Sequence, residues 1–181
     1  MVVVNFFGGP GCGKSTTAAW LFSELKKRQI SCEYVTEFAK DLTWEKNYDA
    51  LLLQEYVFGT QSYRMARVKD KVDVLITDSP LPLSIIYNDG RLHEPEFSTL
   101  VWQVFDEYTN LNFYLNRSSE YETAGRKESL TQAIEIDDKI IDFWREGKID
   151  LSFFDVDAED TKEDILQTVL IKNKWNKRYG N

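Results

Sequence analysis

Residues Gly8-Gly9-Pro10-Gly11-Cys12-Gly13-Lys14-Ser15 carry a glycine, four free positions and then Gly-Lys-Ser, which is the Walker A spacing. The chemistry of that spacing is the holding of phosphate. Glycines let backbone N–H groups turn inward onto phosphate oxygens, where a Cβ would collide or resist a positive φ. Lys14 is long enough to reach the β- and γ-phosphates of a nucleoside triphosphate, and the Ser15 hydroxyl suits Mg²⁺. Gly8, Gly9, Pro10, Gly11, Cys12, Gly13, Lys14, Ser15 and Thr16 are therefore the expected ATP-binding set, with Lys14 also acting on the transferring group. A turn that only packs a helix on a strand would leave Lys14 and Ser15 unexplained.

Other residues could complete such a site. Asp78 directly follows the run Val74-Leu75-Ile76-Thr77. An acidic residue there holds Mg²⁺, directly or through water, so Ser15 and Asp78 are the expected metal residues. Asp78-Ser79-Pro80 also suits a plain turn. Glu37 ends a second apolar run, where a carboxylate could take the proton from an acceptor hydroxyl or merely cap a helix. Arg117 and Arg126 flank a polar stretch over 117–128. Arginines on a closing lid exclude water and neutralise charge that develops in a transition state, whereas solvated loop arginines do neither.

A third group lies further along the chain from Glu37. Gln54, Phe58, Gln61 and Arg64 share one predicted helix, and the Gln54–Phe58 and Phe58–Gln61 spacings of four and three put each pair on one face. An aromatic plate beside a carboxamide is what a nucleobase pocket needs, although an aromatic core stripe with solvated glutamines has the same spacing. At the C-terminus, Lys172 to Tyr179 interleaves four cations with Trp175 and Tyr179. That pattern fits contact with a nucleic-acid backbone or the solvated end of a last helix.

These residues need elements to position them. Val2–Phe7 reads as a buried strand and Thr16–Leu25 as the helix after the loop. Strands are expected over 31–36, 72–77, 111–115 and 151–156. Helices are expected over 48–70, 96–108, 129–145 and 160–171, with 41–47 as a loop around Trp44. Strands alternating with helices imply a parallel sheet with right-handed crossovers. Ligands then gather beyond the carboxyl ends of the strands, where the loop, Glu37, Asp78, Arg117 and the stretch after Phe154 converge. The expected fold is α/β, a P-loop kinase-like three-layer αβα sandwich with a five-stranded parallel sheet and a small lid over 117–128. The length of 181 residues suits one domain over 1–181, its basic tail beginning near 171.

Composition narrows the function further. The net charge of −8 argues against nucleic-acid or anionic-membrane binding by the surface as a whole. No apolar run approaches a membrane span and no signal-type leader precedes Val2, so a cytoplasmic protein is expected. Cys12 and Cys32 form neither a disulfide framework nor a metal spacing, and the lone His93 sits in a polar loop.

With those motifs in place, the chain resembles the small P-loop kinases of the thymidylate kinase and deoxynucleoside kinase superfamily. It most resembles the phage-encoded members that act on 5-hydroxymethyluracil in DNA. The similarity runs from Val2 to about Asp160. Glu37 is placed like the general base of deoxynucleoside kinases, Trp44 follows at a similar interval, and Phe58-x-x-Gln61 resembles their base-reading helix. Trp44, Phe58, Gln61 and Arg64 are accordingly the implied substrate-binding residues. Asp78-Ser79 stands where the family has an acidic residue followed by arginine and serine, the arginine being absent here. Tyr114-Leu115-Asn116-Arg117 is similar to the strand-to-lid junction, and Asp155-Val156-Asp157-Ala158 to the loop that cradles adenine.

The resemblance implies an ATP- and Mg²⁺-dependent kinase acting on a hydroxyl of a pyrimidine-type acceptor, with Glu37 or Asp78 activating the acceptor oxygen. A hydroxymethylated pyrimidine in DNA ranks first as acceptor, and a free nucleoside or nucleoside monophosphate second. The location would be a host's cytoplasm if the chain is phage-encoded. A P-loop ATPase switch that acts on a partner is the alternative of another class.

Overall fold

The computed structural model describes residues 1–117 and 129–179. The strands are β1 (Val2–Phe7), β2 (Cys32–Val35), β3 (Val74–Thr77), β4 (Thr109–Asn116) and β5 (Ser152–Asp155). They form one sheet in the order β2-β3-β1-β4-β5 with every pairing parallel. The helices are α1 (Lys14–Lys27), α2 (Phe38–Trp44), α3 (Tyr48–Leu51), α4 (Gln54–Ala66), α5 (Leu83–Ile86), α6 (Glu94–Phe105), α7 (Leu130–Arg145) and α8 (Thr161–Tyr179). This is the α/β P-loop kinase fold.

Two apolar layers follow from the period-two alternation of β1, which is buried at every residue. Val4 and Phe6 pack with Leu21 and Leu25 of α1 and Ile165, Leu166 and Val169 of α8. Val3 and Phe7 point the other way, into a core with Phe58 and Met65 of α4, Val101 and Phe105 of α6, and Ile136 and Ile140 of α7. A central strand buried on both faces must be apolar throughout, and Asn5 is the exception. Its Nδ2 donates to Asn110 Oδ1 and Asn112 Oδ1 of β4, each at 2.9 Å.

The register decides where chemistry can gather. Thr77 pairs with Asn5 of β1 and with Val35 of β2, so Asp78, Glu37 and the phosphate loop leave the sheet at one level. After β3 the chain crosses to the far side of β1, so the loop after β1 and Asp78 after β3 flank a switch point.

Four expected boundaries move. Residues 41–47, expected as a loop, lie mostly within α2, which carries Trp44. The single helix expected over 48–70 divides into α3 and α4 at Leu52–Leu53. The Asn47 side chain caps α3 at Ala50 N, and Gln54 Nε2 fills the carbonyl of Leu51 at the break. The helix expected over 96–108 lies two to three residues earlier, with Pro95 in its first turn, a position proline tolerates because no intrahelical N–H bond is lost. The last helix runs through the basic tail to Tyr179 rather than stopping near Ile171. Among the described residues, no helix is long and apolar enough to cross a membrane.

Candidate functional site

The loop between β1 and α1 has the backbone its glycines predict. Gly8, Gly11 and Gly13 all lie at positive φ, at 133°, 88° and 79°, and Gly13 is the N-cap of α1. Space is as decisive as φ. A Cβ on Gly8 would stand 2.4 Å from Cys12 Sγ, and one on Gly9 would stand 2.6 Å from the Ala133 carbonyl oxygen. Cys12 is buried beneath the loop, its thiol directed at the Gly9 carbonyl. Lys14 folds back along the loop, its Nζ donating to the carbonyls of Gly8 at 2.7 Å and Gly9 at 2.8 Å. That places a cation over loop amides at a helix N-terminus, an anion-binding arrangement.

Asp78 is buried at the end of β3. Its Oδ2 accepts a hydrogen bond from the Tyr34 hydroxyl at 2.8 Å. Burial, and then the Asp78 charge, push the Tyr34 phenol well above its ordinary pKa, which keeps it a neutral donor. The Ser15 side chain acts on the same phenol in the opposite sense to Asp78, lowering its pKa. Asp78 Oδ1 is buried without a partner among the described residues. An unsatisfied carboxylate oxygen beside a loop hydroxyl fits a hard divalent cation, whose remaining ligands would be phosphate oxygens and water. Among the described residues there is no cluster of three His, Cys, Asp or Glu side chains suited to a metal.

Glu37 occupies the N-cap position of α2 in extended conformation and makes no side-chain cap bond. It lines a cleft of about 530 Å³ whose wall includes Lys14, Ser15, Thr16, Glu37 and Asp78 on the loop side. The same cleft is also lined by Trp44, Leu51, Gln54, Val57, Leu83 and Tyr87. The volume is that of a small-molecule site. Trp44 is 67% exposed yet borders the cleft, as does Gln54, 5% exposed, whose Nε2 donates to the Leu51 carbonyl.

Arg117 does not border that cleft. It lies beneath the phosphate loop, its Nη1 donating to the Pro10 carbonyl at 2.5 Å and its Nε and Nη2 to Asp137 Oδ2 at 3.0 and 2.6 Å. Asp137 is a residue the sequence analysis did not single out. Its Oδ1 accepts the Gly9 N–H at 2.5 Å, and, after burial, its charge raises the Tyr114 phenol pKa. One carboxylate on α7 thus joins the loop to Arg117, just past the end of β4. The sequence carried only its place on a face: Asp137 is four residues after Ala133 and three before Ile140, both buried in the structure, and that spacing does not name its partners.

Three implied substrate residues lie away from the cleft. Phe58 is a core residue, edge-on to Phe97 with centroids 5.9 Å apart. Gln61 is 2% exposed, with both ends of its amide engaged by the backbone of residues 36 and 38. Arg64 pairs with Asp41 at 2.5 Å and covers the Phe38 ring. None of the three lines the cleft. The physical reason is place on α4, whose start, with Gln54 and Val57, borders the cleft. Arg126 and the rest of the lid over 118–128 lie outside the described residues, as do residues 180–181 and the tail side chains from Trp175 onward. Val156, in the stretch expected to cradle adenine, is near the phosphate loop: a Cβ on Gly13 would lie 3.6 Å from Val156 Cγ1.

Comparison with known proteins places this geometry. No curated protein matches the chain. Among solved structures, a deoxyadenosine kinase from M. mycoides with the products dCMP and a flexible dCDP bound is similar at a TM-score of 0.56 and 20% identity. That match covers 95% of this chain and 98% of that one. The same enzyme with bound dATP matches at a TM-score of 0.55 and 18% identity, covering 94% and 98%. The likeness is one of fold, a P-loop deoxynucleoside kinase-like arrangement. A family model described as an AAA domain matches residues 3–163, and the chain belongs to that family.

Proposed function

We propose that the protein is an ATP-dependent kinase that transfers the γ-phosphoryl group to a hydroxyl of a nucleoside-type acceptor. The observation that carries this reading is the cleft itself, where Lys14, Ser15, Asp78 and Glu37 share with Trp44 and Tyr87 the lining of a volume of about 530 Å³. A phosphate-loop switch needs the first group of residues and no second chamber. The likeness in fold to deoxyadenosine kinase supports the same reading.

Catalysis in such a site is positioning plus electrostatics. The loop amides and the α1 N-terminus hold the donor phosphates, and Lys14 turns from the Gly8 and Gly9 carbonyls onto them. Ser15 and Asp78 would hold Mg²⁺, which when bound neutralises charge on the phosphate oxygens. Glu37, at the mouth of the same cleft, accepts the proton of the acceptor hydroxyl as its oxygen meets the γ-phosphorus and the bond to the ADP oxygen breaks. Trp44 and Gln54 border the acceptor chamber, the first as a stacking plate and the second as a hydrogen-bonding group. Arg117 acts on the donor side through the loop carbonyl that it holds. Arg126 is proposed as a lid residue at the phosphates.

A chamber of this size suits a free nucleoside or its monophosphate, and a surface at −8 repels a polyanion. The free compound therefore takes first place ahead of 5-hydroxymethyluracil in DNA. The test is incubation with γ-labelled ATP and Mg²⁺ beside deoxynucleosides, deoxynucleoside monophosphates and an oligonucleotide containing hydroxymethyluracil. Label in a small nucleotide is the expected result. Label in the oligonucleotide alone would restore the DNA acceptor, and label only in free phosphate would replace the kinase with a switch.

A further inference from the structure

Gln61 is buried on α4, outside the cleft, yet its amide touches the backbone on both sides of one candidate catalytic residue. Its Oε1 accepts the N–H of Phe38 at 3.0 Å, and its Nε2 donates to the carbonyl of Thr36 at 3.3 Å. Those are the residues before and after Glu37. The orientation of the amide follows from its partners, because an N–H must meet the oxygen and a carbonyl must meet the NH₂. Nε2 also reaches Thr77 Oγ1 at 3.4 Å. Thr77 in turn accepts the N–H of Ser79 at 3.1 Å, so Thr77 and Ser79 bracket Asp78 as Thr36 and Phe38 bracket Glu37.

We infer that Gln61 is a positioning residue that fixes Glu37 and Asp78 relative to one another. The chemical logic lies in the helix end. The first N–H groups of a helix need acceptors, and a Ser, Thr, Asp or Asn at the N-cap ordinarily supplies one, a role the longer glutamate does not fill. Glu37 makes no cap bond; Gln61, reaching from another helix, accepts the Phe38 N–H instead. Its second hydrogen couples that helix start to β3. Both strand ends are held through a buried group that solvent does not compete for. Asp78 has Tyr34 on its other side, so the carboxylate is fixed from backbone and side chain alike.

The inference rests on the proposed kinase reading for its effect on rate, and on the fold alone for its effect on the backbone. Gln61→Met keeps length and removes every hydrogen bond. It should lower kcat for transfer about 100-fold, the scale of a misplaced reacting group, while the Kd for ATP stays within about twofold because the phosphate loop is untouched. Thr77→Val should lower kcat likewise and Thr77→Ser should restore most of it, which separates the hydroxyl from mere bulk. Independently of chemistry, amide hydrogen exchange followed by NMR should show Phe38 and Ser79 protected in the parent protein and both losing protection in Gln61→Met. Parent-like kcat in Gln61→Met, or equal rates in Thr77→Val and Thr77→Ser, would overturn the role in catalysis. Unchanged exchange at both amides would overturn the clamp. If the parent transfers label to no acceptor, the kinase reading fails and the exchange result alone decides whether Gln61 holds the two strand ends together.

Discussion

Replacing Asp137 with asparagine is the sharpest test of how the phosphate loop is held. The side chain changes little in shape but loses its charge and one of two accepting oxygens. In the parent protein Oδ1 takes the Gly9 N–H at 2.5 Å, and Oδ2 takes two N–H groups of Arg117 at 3.0 and 2.6 Å. An asparagine can face its oxygen to only one of these. Whichever it chooses, its NH₂ then confronts a donor. The Arg117 and Asp137 side chains are 13% and 12% exposed, so water rescues little. Losing one charge-assisted bond and leaving a buried donor opposed should cost about 2–4 kcal/mol of stability. ATP affinity should fall as well, because the Gly9 amide is no longer anchored and loop order must be recovered on binding. Urea unfolding with ATP titration reads both. The double variant Asp137→Asn, Arg117→Met should recover part of the stability, since removing both charges avoids the buried orphan. A single variant within about 0.5 kcal/mol of the parent, the scale of an ordinary surface change, and with unchanged ATP affinity, would refute the anchoring role.

Further outcomes follow from the same geometry. Glu37→Gln should bind ATP like the parent and lose transfer, read by calorimetry beside a phosphotransfer assay; equal loss of both would make Glu37 structural. Gly9→Ala should destabilise the fold by about 1–3 kcal/mol through overpacking, whereas Gly59→Ala, with open space around the added methyl inside α4, should stabilise it by about 0.5–1 kcal/mol. Thermal melts of the pair compare them directly. Tyr34 and Tyr114 both have phenol pKa values raised above the ordinary 10.0. The folded state then holds protons that the unfolded chain releases, so stability is level below pH 10 and declines above it. Unfolding measured from pH 8 to 11 should show that decline blunted in Tyr34→Phe, and an identical profile in the variant would contradict the assignment.

The parts of the site that were legible in the sequence are local ones. Glycine spacing, a preceding apolar strand and a following helix lie within one short stretch, and each constrains the others. Glu37 and Asp78 were legible because a parallel sheet brings the ends of its strands to one edge. Gln61 could not be told from Gln54 by periodicity, because residues seven apart lie on one helical face and differ only in being about two turns apart along α4. Asp137 was hidden by distance: it meets Gly9 across 128 residues of chain, and no local pattern names a partner so remote. Arg117 was found by its place after β4, and its contacts with Asp137 and the Pro10 carbonyl were not, since sequence cannot say whether an arginine at a strand end reaches outward or under a loop. The boundaries of α2 and α8 moved because tertiary packing extends helices through polar stretches whose local preferences are weak.

The most direct test of the central claim is the partition of the γ-phosphoryl group between acceptor and water. Parent protein with labelled ATP, Mg²⁺ and saturating acceptor should place at least about ten times more label on the acceptor than in free phosphate, the margin of a site that excludes water. Lys14→Ala should abolish both products. Label found mainly as free phosphate at every acceptor concentration, or near-parent transfer in Lys14→Ala, would contradict the account.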